Sequence, residues 1–221
     1  MPDLRASEGD LGYRTLYRKA IRENGPTFGS LLYSSAAAQE VRFTTLQAMA
    51  PFAGRYVADM GCGLGDLLPW LEARQAAPDR YVGVEMMPEL LDECRLRLSR
   101  CARSPFETVR ADFVTDPSLC QKLVRELGVN SFVFCGSLNT LRPAQALAAL
   151  ECAWQAIREP GATLGFNFLA RGPRVTAGTP AGLFRLDSAE MMRWALARTP
   201  LVSYCQYYWR GDDATMVMLK A

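Results

Sequence analysis

Histidine is absent from all 221 residues. That absence removes Ser-His and Cys-His nucleophilic pairs, imidazole acid–base catalysis and the commonest ligand of zinc and non-haem iron. Cysteines stand apart at positions 62, 94, 101, 120, 135, 152 and 205 with no Cys-x-x-Cys pair, so neither a disulfide scaffold nor a zinc cluster is expected. No apolar run approaches the roughly 18 residues of a membrane span, and the start, Met1-Pro2-Asp3-Leu4-Arg5, lacks a secretory apolar region. The expected compartment is the cytoplasm, and no membrane partner is expected. An excess of one charge is missing too: 25 Lys and Arg against 23 Asp and Glu leave a net charge of +2, a weak field for gripping a nucleic-acid backbone.

What is present is a globular composition, 49% hydrophobic and 22% charged, with enough chain for one domain spanning 1–221. Short apolar runs alternate with longer amphipathic ones, the pattern of βαβ units. Helices are expected at about 13–21 and 35–49. Strands are expected at 55–60, 81–85, 108–112, 131–135 and 162–168, with helices between them at 66–75, 89–101, 118–127 and 143–158. A glycine- and proline-rich loop at 171–182 precedes a helix at 188–197, where Asp187 and Glu190 have capping-box spacing. The segments 201–209 and 215–220 read as an antiparallel hairpin.

The stretch Val57-Ala58-Asp59-Met60-Gly61-Cys62-Gly63-Leu64-Gly65 sets glycines at alternate positions between a strand and a helix, where a ligand must touch backbone. The next strand ends in Glu85, at the separation from which a carboxylate accepts hydrogen bonds from ribose hydroxyls. A dinucleotide fingerprint wants a third glycine three residues after Gly63, and Asp66 stands there instead. Asp59 is likewise awkward beside a diphosphate but suits a ligand carrying an ammonium and a sulfonium. S-adenosylmethionine is therefore the expected cofactor, with a dinucleotide-dependent oxidoreductase as the disfavoured alternative.

The motifs Asp59 to Gly65, Glu85, Ala111-Asp112-Phe113 and Cys135-Gly136-Ser137-Leu138-Asn139 resemble those of class I S-adenosylmethionine-dependent methyltransferases over about residues 30 to 221. The resemblance implies an α/β fold, a Rossmann-like doubly wound seven-stranded sheet in the order 3-2-1-4-5-7-6 with the last strand antiparallel. It also implies a helical cap at 1–50 over the cofactor and a sheet core at 51–221. By position, Gly61, Cys62 and Gly63 lie against the methionine part, Asp59 meets the ammonium, Glu85 binds the ribose, and Met86 covers the adenine. Asp112 accepts the adenine amino group and Phe113 donates an amide or packs its ring on the base. An aspartate after a strand also commonly caps a turn. The segment Tyr33 to Phe43 resembles a pre-sheet helix of some small family members, which makes Gln39 and Arg42 candidates for the cofactor carboxylate.

In open α/β sheets the ligand crevice lies beyond the carboxyl ends of the strands, which places Cys135 to Asn139 and Asn167 to Phe168 at its floor. The Asn-Pro-Pro-aromatic signature of amino-group methylases is missing. Asn139 and Asn167 are the candidate catalytic groups that orient an acceptor, although either amide equally suits a turn. Tyr13, Tyr17, Tyr33, Arg171 and Arg174 are candidates to line the acceptor pocket. Cys135 is a small thiol on a buried strand, better read as a packed hydrophobe than as a nucleophile. The expected activity is methyl transfer to a small-molecule acceptor by direct in-line displacement, with no metal. A protein that binds the cofactor without catalysis is the alternative.

Overall fold

Where apolar runs alternate with amphipathic ones, the computed structural model has strands joined by helices; it describes residues 12–171, 179–206, 208–209 and 211–221. In chain order these are α1 (Gly12–Asn24), α2 (Ala36–Met49), β1 (Tyr56–Met60), α3 (Leu67–Glu72), β2 (Arg80–Glu85), α4 (Pro88–Cys101), β3 (Phe106–Arg110), α5 (Leu119–Leu127) and β4 (Ser131–Phe134). Then follow α6 (Pro143–Ala156), β5 (Thr163–Arg171), β6 (Leu186–Asp187), α7 (Ser188–Leu196), β7 (Val202–Gln206) and β8 (Asp213–Leu219). Single 3-10 turns occupy Phe28–Leu31 and Ser137–Thr140.

Local chemistry sets the helix ends. Ser35 caps α2 by accepting the Ala38 amide at 3.1 Å, and Asp187 caps α7 by accepting the Glu190 amide at 2.9 Å. Gly128 ends α5 at φ +69°, a conformation that costs glycine nothing. Pro143 starts α6, where its missing N–H would have had no partner.

The sheet runs β3-β2-β1-β4-β5-β8-β7, with the two-residue β6 pairing only with β5. Apart from β6, this is the expected order 3-2-1-4-5-7-6. β8 is antiparallel to β5 from Thr163↔Leu219 to Leu169↔Asp213, and it closes the expected hairpin with β7. Because side chains alternate across a strand, Val57, Val133 and Val217 face a layer containing Phe43 and Leu46 of α2 and Leu67 and Leu71 of α3. Ala58, Phe132, Phe134 and Phe166 face the other layer, with Leu150 of α6 and Met191 of α7.

Three differences from expectation have physical causes. β3 occupies 106–110 rather than 108–112; it is an edge strand whose residues are only half-buried, so no apolar run marks it. β5 continues to Arg171 because β8 and β6 pair with its far end. β6 is too short to carry any pattern. Positions 172–178 of the expected loop, Arg174 among them, lie outside the described residues.

Candidate cofactor cleft

Strand order reverses on either side of β1, whose neighbours are β2 and β4, and a crevice opens at such a point beyond the strand ends. A narrow cleft with a cavity volume of about 60 Å³ lies there. Its floor is the glycine loop. The Gly61 and Cys62 amides both donate to the Val84 carbonyl, at 2.8 and 3.0 Å, which folds the chain back over the end of β2. Gly61 adopts φ +81° and Gly63 φ +55°, and a Cβ built on them falls 2.6 Å from Ser137 Cβ and 2.6 Å from Leu31 Cδ2 respectively. Gly65 serves packing instead: its Cβ would lie 2.7 Å from Cys94 Sγ on α4.

Two carboxylates stand at the strand ends. Asp59 is buried, accepts the Tyr81 hydroxyl at 2.7 Å, and has no ion-pair partner among the described residues. Burial, against that one hydrogen bond, pushes its carboxyl up to about 7. Glu85 accepts the Gly63 amide at 3.2 Å through one oxygen and the Met87 amide at 2.8 Å through the other. It therefore braces the loop whose backbone faces the cleft. Burial raises the Glu85 carboxyl while these amides pull it back.

Met86 and Phe113 line the same cleft, Phe113 set edge-on to Phe134 at 5.3 Å between ring centres. Asp112 also lines it, but its carboxylate is engaged: Oδ2 accepts the Tyr13 hydroxyl at 2.9 Å and Arg14 Nε at 2.7 Å, and Oδ1 accepts the Val114 amide at 3.0 Å. Asp112 thus caps its own turn and clasps α1 over this end of the cleft. Cys62 and Cys135 contribute to the wall. Burial pushes the Cys135 thiol up to about 12, so it stays protonated at neutral pH.

The structure separates the remaining candidates. Gln39 lines the cleft, with its amide donating to Asp66 Oδ2 at 3.2 Å, and Asp66 also holds Arg97 at 2.6 Å. Arg42 is not at the cleft. It forms a two-pronged pair with Asp213, Nε to Oδ1 at 2.8 Å and Nη2 to Oδ2 at 3.1 Å, and both side chains are buried. Because α2 packs on the sheet beside β8, its arginine meets the buried acid that begins that strand.

Of the two candidates for orienting an acceptor, Asn167 is committed to the protein, whereas Asn139 lines a second cavity that adjoins the cleft. Asn167 is fully buried; its Oδ1 accepts the Gly136 amide at 2.7 Å and its Nδ2 donates to Cys135 Sγ at 3.2 Å. Asn139 accepts the Leu169 amide at 3.0 Å. Asn167 thus spends its whole amide, and Asn139 its oxygen, on holding the loop after β4 against β5.

Ser137 falls within the stretch expected at the crevice floor, where the sequence assigns it no role of its own. It lines the cleft, is 9% exposed, and its Oγ has no hydrogen-bond partner among the described residues. A buried hydroxyl without a partner costs about 1–3 kcal/mol, so an unsatisfied one beside a cleft marks a place for a ligand atom. No local signal distinguishes this serine in the sequence, since its lack of partners is a tertiary property.

No model of a known protein family matches the chain, and no curated protein matches it in sequence. Solved structures do share its fold. SibL, an S-adenosylmethionine-dependent methyltransferase in its apo form, superposes with a TM-score of 0.64 at 18% identity, over 93% of this chain and 62% of that one. Phosphoethanolamine N-methyltransferase 1 of Haemonchus contortus, in complex with phosphoethanolamine and S-adenosylhomocysteine, gives 0.65 at 12% identity, over 96% of this chain and 49% of that one. The mitomycin 7-O-methyltransferase MmcR gives 0.59 at 19% identity, over 98% and 70%. The chain therefore spans less than two thirds of the length of the first two. It has the fold of class I S-adenosylmethionine-dependent methyltransferases, and at these identities the likeness extends to the fold alone.

Proposed function

We propose that this chain is an S-adenosylmethionine-dependent methyltransferase acting on a small-molecule acceptor. The observation that carries the reading is the pairing of a glycine-rich loop with two buried strand-end carboxylates, of which Asp59 has no cation partner among the described residues. A buried acid in that state is best relieved by a ligand that brings its own positive charge. A diphosphate would instead bring its negative charge against the Asp59 carboxylate, which lines the cleft.

In this reading Asp59 faces the ammonium of the methionine part, and Gly61 and Gly63 let Ser137 and Leu31 close on the loop beside it. The free lone pairs of Glu85 take the ribose hydroxyls. Met86 and Phe113 enclose the adenine, and Ser137 supplies a hydroxyl to a polar ligand atom. When bound, S-adenosylmethionine supplies a methyl group on a positively charged sulfur. The chain's own part is placement and exclusion of water, which together can lower a barrier by about 7–11 kcal/mol. Cys135, a protonated thiol whose carbonyl and sulfur are both engaged by Tyr33 and Asn167, is no covalent relay. Transfer is therefore direct, from sulfur to acceptor.

Ser137→Ala tests this reading of the cleft. Removing the orphaned hydroxyl is expected to raise the melting temperature of the unliganded protein, because a desolvated group is lost. Affinity for S-adenosylhomocysteine is expected to fall about two- to tenfold, the worth of one hydrogen bond of about 0.5–1.5 kcal/mol. Thermal unfolding with and without S-adenosylhomocysteine measures both. An unchanged ligand-induced rise in the variant would remove Ser137 from the site.

A further inference from the structure

A second cavity, of about 560 Å³, adjoins the cofactor cleft. The two share Tyr17, Leu31, Tyr33, Gly136 and Thr140, so these residues form the boundary between them. Tyr33 is fixed there: its hydroxyl donates to the Cys135 carbonyl at 2.9 Å, its ring stacks on Phe28 at 6.1 Å, and a Cβ on Gly136 would fall 2.6 Å from its oxygen. Gly136, at φ +78°, is therefore the residue that lets Tyr33 close down on the loop after β4.

Beyond this boundary Leu16, Leu32, Leu169, Pro180, Leu183 and the ring of Trp209 make the wall mostly apolar, and Ser34 and Asn139 add uncharged polar groups to it. Three charged side chains also reach it, Arg42, Asp212 and Asp213. Each is already neutralised. Arg42 holds Asp213 with two hydrogen bonds, and Asp212 is held by Arg185 at 2.9 Å. Arg185 also spends a nitrogen on the Ala170 carbonyl at 3.0 Å. Among the described residues, the cavity thus offers a ligand no unpaired charge of either sign. Burial keeps the Tyr17 and Tyr33 hydroxyls above their ordinary range, so they too stay neutral.

From this wall we infer that the second cavity is the methyl-acceptor site and takes an uncharged, predominantly apolar ring compound, not a phosphorylated or otherwise anionic one. The inference rests on the methyltransferase reading above and adds the substrate class to it. An anion entering here would give up water without gaining an unpaired cation from the described residues, whereas a flat apolar molecule meets leucine side chains and aromatic faces. Tyr17, Tyr33 and Thr140 place hydroxyl groups where such a ring would reach the cofactor cleft.

A matched pair of fluorescent probes tests the charge preference: N-phenyl-1-naphthylamine is neutral, and 8-anilinonaphthalene-1-sulfonate is the same ring system with a sulfonate. The full chain is expected to bind the neutral probe at least tenfold more tightly, and saturating S-adenosylhomocysteine is expected not to displace it. Ala181→Trp, on the exposed rim of the cavity, is expected to weaken the neutral probe at least tenfold while S-adenosylhomocysteine affinity, read by calorimetry, stays within twofold. Leu183→Arg adds an unpaired cation to the wall and is expected to shift the preference toward the sulfonate. Equal binding of the two probes, displacement of the neutral probe by S-adenosylhomocysteine, or indifference to both substitutions overturns the inference while leaving the cofactor reading intact. Absence of S-adenosylhomocysteine binding to the unaltered protein overturns the cofactor reading and the acceptor role with it.

Discussion

Arg42→Ala is expected to lower the melting temperature by roughly 6–20 °C, because removing one partner of a buried ion pair costs about 3–5 kcal/mol and a domain of this size loses about 2–4 °C per kcal/mol. The substitution leaves Asp213, 0% exposed, as an uncompensated charge at the start of β8. The same variant separates two roles for this arginine. If Arg42 gripped a ligand carboxylate, its loss would weaken S-adenosylhomocysteine much more than adenosine and leave stability nearly untouched. The buried pair with Asp213 predicts the reverse: a large fall in stability and, at temperatures where the variant is folded, an unchanged ratio of the two affinities. Arg42→Met combined with Asp213→Asn is expected to recover part of the loss, since the orphaned charge is gone. A melting temperature within 2 °C of the unaltered protein contradicts the structural role.

Glu85→Ala is expected to weaken S-adenosylhomocysteine by roughly tenfold to a hundredfold, the worth of a charged hydrogen bond of about 1.5–3 kcal/mol. The carboxylate acts twice, accepting the Gly63 and Met87 amides that shape the loop and offering its remaining lone pairs to ribose. Adenosine, which carries the ribose, is expected to lose as much as S-adenosylhomocysteine. Glu85→Gln keeps one acceptor oxygen and is expected to lose less. The fold should survive, because β2 stays paired on both sides. A folded alanine variant, checked by circular dichroism, that binds with unchanged affinity would reduce Glu85 to a strand end.

Much of this arrangement is legible in the sequence where the determinants are local. β1, β2 and β4 are short apolar runs because parallel strands are covered on both faces, and the glycine loop, Asp59 and Glu85 lie within one strand-turn-helix-strand unit. The rest depends on partners far along the chain. Arg42 finds Asp213 171 residues away, and Asn139 and Asn167 find backbone amides 30 and 31 residues away. For each of these side chains the sequence shows a polar group near the site but not which neighbour it bonds. The turn at Phe28–Leu31 is equally illegible: it places Leu31 against Gly63 and is followed by Leu32 at φ +59°, where no local residue preference calls for one.

Calorimetric titration of the unaltered protein with S-adenosylhomocysteine and, separately, with NAD tests the central claim most directly. Saturable binding of one S-adenosylhomocysteine per chain is expected. NAD at the same concentrations should give no heat beyond dilution, because its diphosphate would meet the Asp59 carboxylate. Tight binding of NAD with no response to S-adenosylhomocysteine would contradict that claim.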